Sequence, residues 1–222
     1  MKQPVIFCDF DGTVTDADNI IAIMKKFAPP EWIPMKDAIL DQQLSIKEGV
    51  ANMFSLLPVS AREEITSFVL EQARIREGFS EFVQYTRSKN IPLYIVSGGI
   101  DFFVNPLLEP YGPFAAIYCN EAEFSGENIK ILFPHACDDQ CTNTDGCGCC
   151  KPSIMRTLLA ENQTSIVIGD SITDLQAAKQ ANLVIARDFL IEKCEELQLP
   201  YEPFENFLDV IQILEARLGV DE

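Results

Sequence analysis

Asp9 and Asp11 stand one residue apart, followed by Gly12 and Thr13, at the end of the apolar run 5–8. That spacing lets two carboxylates serve one bound group. Two further segments share the build. Ile95-Val96-Ser97 leads into Gly98-Gly99, and Val167-Ile168 leads into Gly169-Asp170, with Asp174 four residues on. Any one of these ends reads as well as a helix cap or a tight turn. Three in one chain point further, because ligands of a doubly wound sheet bind beyond the carboxyl ends of its strands. Carboxylates gathered there repel one another and call for a cation. Lys151, just before Pro152, would alone be a solvated helix start.

The elements that must position these residues are legible as alternation. Short apolar runs at 5–8, 91–96, 115–118, 165–168 and 183–186 have little polar interruption, as strands buried on both faces of a parallel sheet do. Between them lie helical spacings such as Phe79, Phe82, Val83 and Thr86. The pattern predicts an α/β fold, a doubly wound parallel sheet with right-handed crossovers. One stretch departs from it. Residues 16–77 carry helical patterns only, at 19–27, 34–44, 46–57 and 61–76, with capping boxes expected at Ser45/Glu48 and Ser60/Glu63. A helical cap subdomain over 16–77, inserted into a core of 1–15 and 78–222, is therefore expected. No internal repeat is present.

The ordered set of DxDGT at 9–13, Ser97-Gly98, Lys151 and Gly169-Asp170-Ser171-x-x-Asp174 resembles the four motifs of the haloacid dehalogenase superfamily and spans nearly the whole chain. The helical insert resembles that superfamily's first cap type, as in phosphoserine phosphatases. The resemblance implies a magnesium-dependent phosphatase. Asp9 would be the nucleophile that forms an acyl phosphate. Asp11 would protonate the leaving oxygen and later deprotonate water. Side chains of Asp9 and Asp170 and the backbone carbonyl of Asp11 would ligate magnesium, with Asp174 orienting Lys151 and reaching the metal's water shell. Thr13, Ser97 and the Gly98 amide would donate to phosphate oxygens, and Lys151 would neutralise the charge that builds there. Cys8, on the other side of the strand, reads as core.

Specificity should reside in the cap, because the core reads only phosphate. Phosphoserine phosphatases hold the substrate carboxylate with an arginine just before a Ser-Leu-Leu-like stretch. Here Ser55-Leu56-Leu57 follows Met53-Phe54, so a thioether stands where a carboxylate binder would be. Met53 is thus a candidate substrate contact. Met24, Phe27, Trp32 and Met35 either line an apolar pocket with it or form the cap's own core. The opening DFDGTVTDADNIIAIMKKFAP and the segment GCGCCKPS resemble a bacterial phosphatase family of methionine salvage. The substrate of that family is a phosphorylated enol with a methylthio tail and no carboxylate. A phosphoserine phosphatase or another small phosphomonoesterase is the alternative enzyme.

His135 and Cys137, Cys141, Cys147, Cys149 and Cys150 lie in a polar, turn-rich stretch with Asn143 and Asp145, leading straight into Lys151. Four thiolates can hold zinc tetrahedrally and stiffen a loop with little core. The spacing C-x3-C-x5-C-x-C-C is not the paired CxxC of common zinc modules, so reduced thiols and a disulfide stay open as readings. A zinc-dependent interaction protein on an inactive core is the rival class. The complete set of Asp9, Asp11, Lys151 and Asp170 argues against it. The 222 residues carry a net charge of −17, which disfavours nucleic acid and anionic membranes as partners and makes local cations necessary for an anionic substrate. No run approaches a bilayer span or a signal segment, so a cytoplasmic protein acting on a small phosphate monoester is expected. No feature fixes an oligomeric state.

Overall fold

The computed structural model describes residues 3–141 and 146–219; Asn143 and Asp145 lie outside the described residues. The chain opens with β1 (Gln3–Cys8) and then runs through helices α1 (Asn19–Phe27), α2 (Trp32–Leu40), α3 (Ile46–Phe54) and α4 (Arg62–Gln72). Alternation follows: α5 (Phe79–Ser88), β2 (Leu93–Ile100), α6 (Asp101–Leu108), β3 (Ala116–Glu123), β4 (Lys130–Leu132) and α7 (Lys151–Leu158). The chain continues with β5 (Gln163–Gly169), α8 (Leu175–Ala178), β6 (Leu183–Ala186), α9 (Asp188–Leu197), β7 (Glu202–Pro203) and α10 (Phe207–Leu218).

The sheet order is β4-β3-β2-β1-β5-β6-β7, parallel throughout except for β4, which pairs antiparallel with β3. Strand β1 lies between β2 and β5, the place where the strand order reverses, and ligands of such sheets bind there. Register sets the level. Cys8 is paired with Ile95 of β2 and Ile168 of β5, so the next residues along each strand approach one another across the sheet. Alternate residues explain the apolar runs. Ile6, Cys8, Ile166 and Ile168 enter one buried cluster with Phe79, Phe82 and Leu214, while Val5, Phe7 and Val167 enter another with Ile154 and Met155. Helices α5 and α10 thus cover one face and α7 the other.

Between β1 and α5 the described structure is helical apart from its connections. Asp18 caps α1 by accepting from the Ile21 N–H at 3.0 Å. The Ser45/Glu48 capping box is formed at α3. The expected Ser60/Glu63 box is not. A 3₁₀ turn over Val59–Ala61, entered from Pro58, delays α4 to Arg62 and leaves Ser60 inside the turn rather than at the cap. Residues 73–76, expected as helix, instead run back beside the outgoing strand end. The Asp16 N–H donates to Arg74 O and the Arg76 N–H to Val14 O, with an antiparallel bridge between Thr15 and Ile75. The chain leaves and re-enters through this paired neck. No helix of the described residues is long and apolar enough to cross a membrane.

Candidate active site

Asp9 follows β1 directly, and its backbone N–H donates to Ile168 O at 2.9 Å, which ties it to the end of β5. Asp9 is 6% exposed, and its carboxylate lies 2.7 Å from the Lys151 ammonium. Lys151 begins α7, followed by Pro152, whose missing N–H costs a helix nothing in its first turn. The same ammonium sits 2.5 Å from Asp174 Oδ1. Asp174 Oδ2 accepts from the backbone N–H groups of Asp170 and Ser171 at 3.2 and 3.1 Å. One carboxylate thus folds the turn after β5 and holds the lysine. Burial by itself would lower the lysine's pKa, but Asp174 and Asp9 raise it above its usual value, so it stays charged.

Asp170 accepts from Thr13 Oγ1 at 2.7 Å. The Thr13 hydroxyl, expected to face phosphate, is spent here in joining the first and last motifs. The contact is close enough to dictate a neighbour. Gly12 has φ +82°, and a Cβ on it would fall 2.4 Å from Asp170 Oδ2. Burial, with Asp174 next, raises Asp170 to about 6. Burial and Asp174 likewise push Asp9 well up, against the pull of Lys151. Asp11 is raised to about 7 by burial and by Asp18, partly offset by Asn19. Asn19 donates to Asp11 Oδ1 through its side chain at 2.7 Å and its backbone at 3.1 Å.

Ser97 Oγ accepts from the Gly99 N–H at 2.8 Å, which leaves the hydroxyl proton to be donated elsewhere. The Gly98 carbonyl accepts from Asn120 Nδ2 at 2.8 Å, and a Cβ added at Gly98 would meet nothing within 4 Å. The space beside Gly98 is open. Met53, on α3, is 2% exposed and packed in the large apolar cluster with Met24, Phe54 and Leu57. Asn19, Asn120 and Arg76 are site-supporting residues that sequence reasoning missed. Arg76, 9% exposed, donates to the carbonyls of Gly12, Thr13 and Thr15 and so clamps the loop after β1. Its only sequence signal is a charged residue at the end of the expected helix 61–76, which reads as surface.

Magnesium takes hard oxygen donors. Asp9, Asp170 and Asp174 each offer one within 4.8 Å of the others. The upward pressure on Asp9, Asp11 and Asp170 comes first from burial and next from neighbouring carboxylates, Asp174 for Asp9 and Asp170 and Asp18 for Asp11. The donor set fits a divalent cation. A second cluster, of different chemistry, is formed by the sulfurs of Cys137, Cys141, Cys147 and Cys150, also within 4.8 Å of one another.

A family model described as haloacid dehalogenase-like hydrolase matches residues 6–179. Proteins of Geobacillus thermodenitrificans (strain NG80-2) and Geobacillus kaustophilus (strain HTA426), each named 2-hydroxy-3-keto-5-methylthiopentenyl-1-phosphate phosphatase, are 59% identical over 214 residues, 96% of this chain and 96% of theirs. A solved phosphoserine phosphatase from T. onnurineus has the same fold, with a TM-score of 0.70 at 15% identity over 97% of this chain and 95% of that one.

Proposed function

The chain belongs to the haloacid dehalogenase-like hydrolases, and from that premise we propose that it is a magnesium-dependent phosphatase of 2-hydroxy-3-keto-5-methylthiopentenyl-1-phosphate. The observation that carries the chemistry is the placement of Lys151 between Asp9 and Asp174, with Asp170 alongside, at the carboxyl end of the central strand. The substrate rests on the 59% identity to proteins of that name.

In this reading Asp9 is the nucleophile. Its oxygen bonds to phosphorus while the bond from phosphorus to the enol oxygen breaks, and Asp11 gives the leaving oxygen its proton. Asp11 then takes a proton from water, whose oxygen attacks phosphorus as the bond to Asp9 breaks and phosphate leaves. The raised pKa of Asp11 and its two hydrogen bonds from Asn19 suit a group that must hold a proton at neutral pH and keep its aim. Lys151 offsets charge on the phosphoryl oxygens and on Asp9, and Asp174 positions it. Ser97 and the Gly98 amide donate to phosphate oxygens in the open space beside Gly98. Asp9, Asp170 and the Asp11 carbonyl would hold magnesium, with Asp174 reaching its water shell, and the ion would supply charge neutralisation during transfer. Residues 16–77 act as a cap over this site, with Met53 on the substrate's tail.

The test is a panel of phosphate monoesters assayed with magnesium: the methylthio enol phosphate, phosphoserine and phosphoethanolamine. Preferred hydrolysis of the first, abolished by EDTA and restored by magnesium, is expected. Preference for phosphoserine would move the assignment to the alternative enzyme, and hydrolysis of none would favour a binding protein.

A further inference from the structure

We infer that Cys137, Cys141, Cys147 and Cys150 form a tetrathiolate zinc site that fixes the start of α7 and, through it, Lys151. The Cys141 and Cys147 sulfurs are 3.8 Å apart and those of Cys150 and Cys141 3.7 Å. A disulfide would hold its sulfurs at about 2.05 Å. A zinc ion bound to four thiolates at about 2.3 Å places neighbouring sulfurs about 3.8 Å apart, the edge of the tetrahedron. The measured separations match that edge. Soft sulfur donors also exclude magnesium in favour of zinc, so this site and the carboxylate set take different ions.

The structure chooses four thiols out of five. Cys149 Sγ points instead toward Tyr118 O, 3.8 Å away, and Cys149 packs with Val96 and Met155 against the sheet. His135 turns its ring edge-on to Tyr118. What surrounds the four sulfurs is what a dianionic centre needs. The Ser153 backbone N–H bonds to Cys150, and Arg156 stands within electrostatic reach of Cys141 and Cys150. Arg156 is aimed by a two-pronged contact to Asp138 at 2.8 and 2.5 Å. Outer partners of this kind orient metal ligands and are needed for full affinity.

The position of the cluster gives it a task. Cys150 is the N-cap residue of α7, its N–H donates to His135 O at 2.9 Å, and Lys151 is the next residue. Gly146 O accepts the Lys47 N–H of α3 at 3.2 Å, so the same knot also touches the helical block. Residues 137–150 contribute few apolar side chains of their own, and a metal replaces the missing core. The metal site stands on its own; its role toward Lys151 rests on the phosphatase reading.

The whole chain, purified under reducing conditions without added chelator, should carry about one zinc per chain by elemental analysis. Cobalt(II) exchanged into it should show the thiolate charge-transfer and tetrahedral ligand-field bands of a four-sulfur site. Cys141→Ser should lose the metal and the bands, while Cys149→Ala keeps both. Stripping zinc and assaying in saturating magnesium should lower kcat by roughly tenfold or more with little change in KM. Zinc-free protein whose cobalt spectrum lacks thiolate bands would overturn the site, even if Cys141→Ser fails to fold. Equal metal loss in Cys149→Ala would overturn the choice of ligands. A metal-loaded site whose removal leaves kcat unchanged would overturn the positioning role alone. Full zinc with no hydrolysis of any ester would instead count against the phosphatase reading.

Discussion

At Lys151 one ammonium has carboxylates on two sides, at 2.7 and 2.5 Å, and both partners come from motifs far away in the chain. Short motifs of this sort were legible because each is local: DxDGT and GDSxxD keep their chemistry within a few residues of a strand end. The residues that aim them were not. Asn19 reads as an ordinary first-turn residue and Arg76 as surface, since their partners, Asp11 and the Gly12–Thr15 carbonyls, are fixed only when the neck closes. The nucleophile assignment predicts that Asp9→Asn, which hardly changes volume, leaves the fold intact by circular dichroism and abolishes turnover. Retention of more than about a hundredth of wild-type kcat would mean that water attacks phosphorus directly. Asp11→Asn should slow transfer and hydrolysis of the acyl phosphate by roughly two to four orders of magnitude. A rise in KM at unchanged kcat would make Asp11 a binding group.

Among the elements, the inner strands were legible from their apolar runs, and the edges were not. Strand β4 is three residues with one buried, and β7 is two residues containing a proline, too short and too polar for any periodicity. Strand β2 was expected to end at residue 96 but continues through Ser97-Gly98-Gly99 to Ile100, where an irregular register brings Ile100 opposite Asn120. Ser97 and Gly98 therefore sit within a strand rather than in a turn after it. Helix α4 was misplaced for a local reason, the 3₁₀ turn entered at Pro58. The two serines separate these cases by measurement. Ser45→Ala removes a formed capping box and should cost about 1 kcal/mol in a denaturant titration. Ser60→Ala removes a side chain in an exposed turn and should change stability by less than about 0.5 kcal/mol. Equal losses would mean that Ser60 caps α4 in solution after all.

Across the whole molecule, the helical block and the sheet are not separately cored. One buried cluster takes in Met24, Trp32, Met53, Phe54 and Ile65 of the block with Ile6, Ile95 and Phe103 of the core, and Phe54 meets Phe102 edge-on at 6.3 Å. That continuity sets how the specificity of Met53 must be tested. At 2% exposure in an apolar cluster, Met53→Arg buries a guanidinium beside Met24, Phe54 and Leu57, and an unpaired buried charge costs a few kcal/mol unless the group reaches water. A fall in melting temperature is therefore expected whatever the residue does for substrate, and assays must be run well below it. Met53→Leu supplies the control, since a volume-conserving apolar swap costs less than about 1.5 kcal/mol. If Met53 meets the methylthio tail, Met53→Arg should raise KM for the methylthio enol phosphate, spare kcat, and modestly improve phosphoserine, whose carboxylate gains a partner. Met53→Leu should change KM for the methylthio substrate only slightly. Equal loss on every ester would make Met53 a packing residue of the shared core. No loss on any would place it outside the pocket, and the choice of substrate would then have to come from other side chains of the cap.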